Sequence, residues 1–192
     1  MCRLPATAGE KVVQEALPVA FYLIAVATLV ADQVTKVIVA GRLALGQRIP
    51  VIPHLLYLTH NENPGAAFGI LPTATVGLIV AGVVIIVVLV LYGRKMAGCR
   101  PLWIGLALQI GGAAGNLIDR IFHGEKLFRG RVVDFIDVQI TPAYTWPTFN
   151  IADIAITVGA VLIAYCILTG RDGILGGADE ASDQEDEQPQ VD

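Results

Sequence analysis

Asp153 stands a few residues inside an otherwise apolar run, FNIADIAITVGAVLIAYCIL, that reads as a membrane-crossing helix. A carboxylate at the edge of hydrocarbon is costly, and such residues generally face the protein interior and serve function. Asn150 lies three positions earlier. The same spacing recurs in GGAAGNLIDR, where Asn116 and Asp119 share nearly one helix face and Arg120 follows. In ADQVTK, Asp32 and Lys36 are four apart and stack on one helix face. The β-branched and aromatic stretch RVVDFIDVQI places Asp134 and Asp137 on an extended segment. With a period of two, Asp134 shares a face with Ile136 while Asp137 points the other way.

The residue inventory narrows the chemistry. Ser182, in the acidic tail, is the only serine, which excludes a serine nucleophile among the spans. Cys2, Cys99 and Cys166 have neither metal-like nor disulfide-like spacing, and none lies near a suitable histidine partner. His54, His60 and His123 do not pair at i, i+4 as a helical zinc motif requires. No cofactor, metal or nucleic-acid partner is expected. Carboxylates remain. Two of them close together cannot both stay ionised, and a pair sharing one proton can activate water for peptide hydrolysis. Asp153 on a helix end and Asp134 on an extended segment facing it form the natural pair. Asp153 falls in the first turn of its helix, where the dipole favours the ionised form, so the resting proton is expected on Asp134.

Simpler accounts exist for each residue. Asn150 is a good N-cap, and Asp153 three residues on nearly completes a capping box. Asp32 and Lys36 would neutralise each other, with Lys36 snorkelling to the interface. Arg120 would merely balance Asp119. Convergence weakens the capping account, while the other two stay open. Asp32, Asn116, Asp119, Arg120, Asn150 and Asp153 fall at span ends on one side of the membrane, as a single polar site requires.

The elements that must hold this site follow from composition. The chain has 192 residues, 55% hydrophobic and only 16% charged, too apolar for an ordinary soluble domain. An all-α membrane protein is predicted, a bundle of four transmembrane helices at about 17–40, 73–92, 101–120 and 151–169. The first is too long for a signal-peptide core and lacks a small-residue cleavage site. Two long connections, about 41–71 and 121–150, hold RIPVIPHLLYLTH and RVVDFIDVQI, which are predicted to pair as a small sheet outside the bundle. Residues 1–16 read as a flexible segment and 171–192 as a disordered acidic tail. Four spans put both termini on one side, but Lys and Arg divide equally between the sides, so charge does not decide orientation.

In order along the chain, DQVTK (32–36), NPGAAFG (63–69), GGAAGNLIDR (111–120), VVDFID (132–137) and FNIADIAI (149–156) resemble the signature blocks of bacterial lipoprotein signal peptidase, or signal peptidase II. The resemblance covers about residues 17–168. It implies an aspartic endopeptidase of the bacterial inner membrane. Such an enzyme removes signal peptides from prolipoproteins, cutting just before a cysteine that already carries diacylglycerol. By motif it implies Asp134 and Asp153 as the catalytic dyad, with Asp32, Asn63, Asn116, Arg120 and Asn150 in support. Lys36, Gly65 and Asp119 lie in or beside the same blocks and join that supporting set. The resemblance further implies cytoplasmic termini, a site near the outer face, and diacylglyceryl-modified prolipoproteins and membrane lipids as partners. Because the acyl chains must stay in the bilayer, the site is expected to open laterally between spans. One departure stands out: IFHGEKLFRGRVV, between Arg120 and Asp134, is several residues longer than the usual connection.

An ion or proton carrier is the competing reading, since buried carboxylates also build relays. Carriers often carry internal repeats and midplane polar residues. This chain has no repeat, and its acids sit at span ends.

Overall fold

The computed structural model describes residues 19–65, 75–93 and 100–169. Four helices and four strands follow in the order α1 (Val19–Arg42), β1 (Arg48–Ile52), β2 (Leu56–Asn63), α2 (Thr75–Gly93), α3 (Arg100–Phe122), β3 (Val132–Thr141), β4 (Tyr144–Thr145) and α4 (Ile151–Leu168). Helix bounds lie within two residues of those expected. The N-terminal segment, the acidic tail and much of NPGAAFG lie outside the described residues.

Burial along α1 is inverted relative to a soluble helix. Asp32 and Lys36 are buried, whereas Val34, Val37 and Ile38 are exposed. The outer faces of α2 and α4 likewise present Val76, Val80, Val84, Ile154, Val158 and Val161. Apolar surface turned outward around a charged interior belongs in lipid, not water. Among the described residues α1, α3 and α4 are long and apolar enough to cross a membrane. The run TVGLIVAGVVIIVVLVLYG forms α2 despite its β-branched residues. In apolar surroundings a helix satisfies every interior backbone group by itself, and that outweighs β propensity.

α3 is the centre of the bundle and packs against each of the other helices. Small residues let it come close, as GGAAG suggested. A Cβ on Gly112 would lie 2.6 Å from the Ala152 carbonyl oxygen of α4, and one on Gly115 would collide with the Asp32 carboxylate of α1. At the far end of the bundle Phe21, Leu102, Leu106, Ala107 and Cys166 form the apolar core. Polar groups therefore concentrate at one end and apolar packing at the other.

The two long connections do pair. The strands form an antiparallel sheet in the order β1-β2-β3-β4, with Arg48 opposite Thr59 and Asn61 opposite Asp134. A register shift between Leu58 and Asn61 adds a residue to β2 there. The expected strand phase holds. Asp137, on the opposite face from Asp134, pairs with Arg48 at 2.6 Å. The decisive link between sheet and bundle is made by Phe149, whose carbonyl accepts from Phe135 N at 3.0 Å and Ile136 N at 2.8 Å. That bridge clamps the residues around Asp134 to the start of α4.

Candidate active site

The end of α4 begins with a complete capping box. Asn150 Oδ1 accepts from Asp153 N at 3.0 Å, and Asp153 Oδ2 accepts from Asn150 N at 3.2 Å. The simpler account of NIAD is therefore correct, yet incomplete. Asp153 Oδ1 is left for another donor and accepts from Asn116 Nδ2 at 2.9 Å. Asn150 reaches the other way, its Nδ2 donating to Asp134 Oδ1 at 2.7 Å. One asparagine holds both carboxylates.

Asp134 is fixed from its second side by Asn63, whose Nδ2 donates to Oδ2 at 3.1 Å. Asn63 in turn accepts from Gly65 N at 3.0 Å, which ties the start of NPGAAFG to the site. Burial pushes the Asp134 carboxyl up to about 7, and the negative charge of Asp153 adds to the rise. The amides of Asn63 and Asn150 and the charge of Lys36 pull against it without cancelling it. Burial, more than any neighbouring charge, thus favours the protonated form of Asp134.

Behind the carboxylates lies a buried charge cluster. Lys36 Nζ stands 2.8 Å from Asp32 Oδ2, 2.7 Å from Asp119 Oδ2 and 2.9 Å from Asn116 Oδ1. Lys36 does not snorkel; it is turned inward and almost wholly enclosed. By holding Asn116 Oδ1 it leaves Asn116 Nδ2 to face Asp153. Asp32 Oδ1 accepts from Ala152 N at 3.0 Å, satisfying another unpaired donor at the start of α4. Asp119 also accepts from Gln33 Nε2 at 3.0 Å and from Val133 N at 3.3 Å.

Nor is Arg120 the partner of Asp119. Its Nη1 donates to the Asn116 carbonyl at 3.0 Å and its Nη2 to the Gly65 carbonyl at 3.1 Å. Its Nε is buried without a hydrogen-bond partner among the described residues. A planar fork that spans two backbone carbonyls suits arginine and not lysine. Arg120→Lys is therefore expected to cut kcat/KM by about 10- to 100-fold, equivalent to one or two charge-assisted hydrogen bonds, with little change in thermal unfolding. Full activity in that variant would reduce Arg120 to a balancing charge.

Asn63, Asn116, Arg120, Asp134 and Asp153 line an open cavity of about 540 Å³, together with Trp146, Phe149, Ile154 and Val158. Asp32, Lys36, Gly65, Asp119 and Asn150 do not line it but are hydrogen-bonded or ion-paired to these residues or to one another, whereas Asp137 lies on the other strand face. Gln33, Trp146 and Phe149 were missed. Gln33 sits inside DQVTK, next to Asp32. Trp146 and Phe149 belong to WPTFN, whose aromatic residues beside a polar motif were the available signal.

A bundle of apolar helices with two amide-bridged carboxylates at its polar end defines a membrane enzyme of the aspartic peptidase class. The sequence model of the family described as Signal peptidase (SPase) II matches residues 24–169. A lipoprotein signal peptidase of Pelotomaculum thermopropionicum is 46% identical over 154 residues, covering 79% of this chain and 93% of that protein. One from Bacillus velezensis is 44% identical, covering 74% and 90%. A solved bacterial membrane enzyme, determined by the in meso method at 2.3 Å, superposes with a TM-score of 0.71 at 38% identity, covering 78% of this chain and 88% of that one. The chain belongs to the signal peptidase II family.

Proposed function

We propose that this chain removes signal peptides from diacylglyceryl-modified prolipoproteins, with Asp134 and Asp153 as its catalytic pair. The observation that carries the assignment is the bridging by Asn150 of two carboxylates facing one cavity. Asp153, held by Asn116 and by the cap of α4, is the base that takes a proton from water. The resulting hydroxide attacks the scissile carbonyl while Asp134 gives its proton to the carbonyl oxygen. As the tetrahedral adduct collapses, Asp153 protonates the leaving nitrogen and Asp134 recovers a proton from the adduct hydroxyl. The pair ends with one proton, as it began.

α1, α2, α3 and α4 are all membrane spans in this reading, forming one peptidase domain over 17–170 between the two terminal segments. The termini lie in the cytoplasm, and the sheet and site lie at the outer face of the bacterial inner membrane. Ile154, Val158 and Val161 support lateral entry of the substrate lipid. They follow one another at helical spacing, and the first two line the cavity while all three are exposed on α4.

The test is hydrolysis of a diacylglyceryl-modified precursor by the purified protein across pH. Asp134 must be protonated to act as acid, so kcat/KM should hold at mildly acidic pH and fall as pH rises through about 7. An unmodified precursor should resist cleavage. Equal cleavage of both precursors would refute the lipid requirement, and a rate that climbs steadily through pH 7 would refute the role given to Asp134.

A further inference from the structure

The connection between α3 and β3 takes no part in the chemistry above, yet it is a built structure. His123 N donates to the Asp119 carbonyl at 2.7 Å, Phe128 N to the Ile121 carbonyl at 3.0 Å and Gly130 N to the Arg120 carbonyl at 2.9 Å. Arg131 N closes the loop on the His123 carbonyl at 2.9 Å. A Cβ on Gly130 would collide with the Asp119 carbonyl oxygen, so the chain folds back tightly on the last turn of α3.

This closed loop holds large apolar side chains outward. Phe122, Leu127 and Phe128 are 64%, 62% and 50% exposed. Lys126, Arg129 and Arg131 stand among them, against Glu125 as the one acid of the loop. Arg131 is engaged by Glu62 at 3.4 Å, and His123 lies 3.7 Å from the same carboxylate. Lys126 and Arg129 have no acidic partner among the described residues. Both line a second cavity, of about 620 Å³, together with Phe122, His123 and Arg131 and the acids Glu62 and Glu125, so its cations outnumber its acids by three to two.

Position tells what such a surface meets. Phe122 is the last residue of α3, one of the helices with the length and hydropathy of a span, so the loop emerges where the hydrocarbon segment ends. At that level a bilayer offers phosphate groups above acyl chains, and aromatic residues favour the boundary between them. A free anion or an acidic peptide would match the cations and leave three apolar side chains in water.

We propose that the loop of residues 122–131 docks on anionic phospholipid, Lys126 and Arg129 binding phosphate headgroups while Phe122, Leu127 and Phe128 rest on the acyl boundary. The proposal depends on the reading that α3 crosses the membrane. Because the loop hangs on the carbonyls of Asp119 and Arg120, docking braces the helix end that carries Arg120.

A nitroxide at Leu127→Cys reads the docking directly. Cys2 and Cys99 are replaced by Ser, and Cys166 is fully buried and so shielded from label. The full chain is reconstituted in vesicles of phosphatidylcholine, alone or mixed with phosphatidylglycerol. In the mixed vesicles the label should be more accessible to oxygen than to a water-soluble nickel chelate. Lys126→Gln with Arg129→Gln should reverse that preference, lowering loop partitioning by roughly 25-fold at about fivefold per cation. The unmodified loop in phosphatidylcholine alone should resemble the double variant. A label that stays in water in both vesicle types would overturn the proposal. A label buried equally in both would overturn its headgroup half. Hydrolysis measured on the same vesicles separates the readings, since lost cleavage with a docked loop indicts the proposed function and not the loop.

Discussion

Asp153→Asn is expected to reduce hydrolysis of a lipid-modified precursor by on the order of 10⁴-fold, and Asp134→Asn by a similar factor. An amide at position 153 cannot take a proton from water, and one at 134 cannot give a proton to the carbonyl oxygen. Neither change should prevent folding. Asn in place of Asp153 retains an oxygen for Asn150 N, so the cap on α4 survives. Asn in place of Asp134 removes a buried carboxyl already pushed up to about 7 and keeps an oxygen for Asn150, at the loss of the hydrogen bond from Asn63. Asp137→Asn is the control: it lies on the other strand face, paired with Arg48, and should cost activity several-fold at most. Single-turnover cleavage of a purified precursor, alongside thermal unfolding in detergent, separates the cases. Near-normal turnover in either dyad variant would end the assignment, and an equal loss at Asp137 would mean the wrong strand face was chosen.

Lys36→Met should have the largest effect on stability, about 3–5 kcal/mol, the usual result of removing one partner from a buried ion pair. Lys36 is the only cation within ion-pair distance of Asp32 and Asp119 among the described residues, and both acids are nearly sealed from solvent. Without it one or both must take up a proton or draw in water. The catalytic effect follows through Asn116. Lys36 fixes Asn116 Oδ1, which keeps the amide nitrogen on Asp153. With only the 3.2 Å donation from Asn150 Nδ2 left on that oxygen, the protein that still folds should lose kcat more than KM, because the proposed catalytic carboxylate and not the substrate cavity is disturbed. Thermal unfolding and steady-state kinetics on the variant test both parts. An unchanged unfolding midpoint would show that the cluster tolerates uncompensated charge.

Much of this architecture was legible in the residues for physical reasons. Long apolar runs have few folded outcomes in lipid, so the helices could be placed to within two residues. Alternation in RVVDFIDVQI set the strand phase that separates Asp134 from Asp137. Carboxylates and amides at span ends are costly enough to imply one another as partners. Asn150 and Asp153 were readable both as a cap and as a candidate site; they form the cap, and Asp153 also faces the cavity.

Partner choice was not legible. Asp32 and Lys36 do form the local pair their spacing suggests, but Asp119 beside Arg120 suggests a second one that does not form, because sequence shows only neighbours. The close approach of α3 to α1 at Gly115 brings Lys36 against Asp119 and Asn116, and so frees Arg120 to hold the Gly65 carbonyl. The meeting of Asp134 with Asn150 depends likewise on the Phe149 bridge to β3 and on the register shift in β2. Local sequence determined which elements form, since hydrogen-bond satisfaction and hydrophobic pattern act over a few residues. Which carboxylate faces which amide was decided by the packing of elements distant in the chain, where a shift of one residue in register changes every contact.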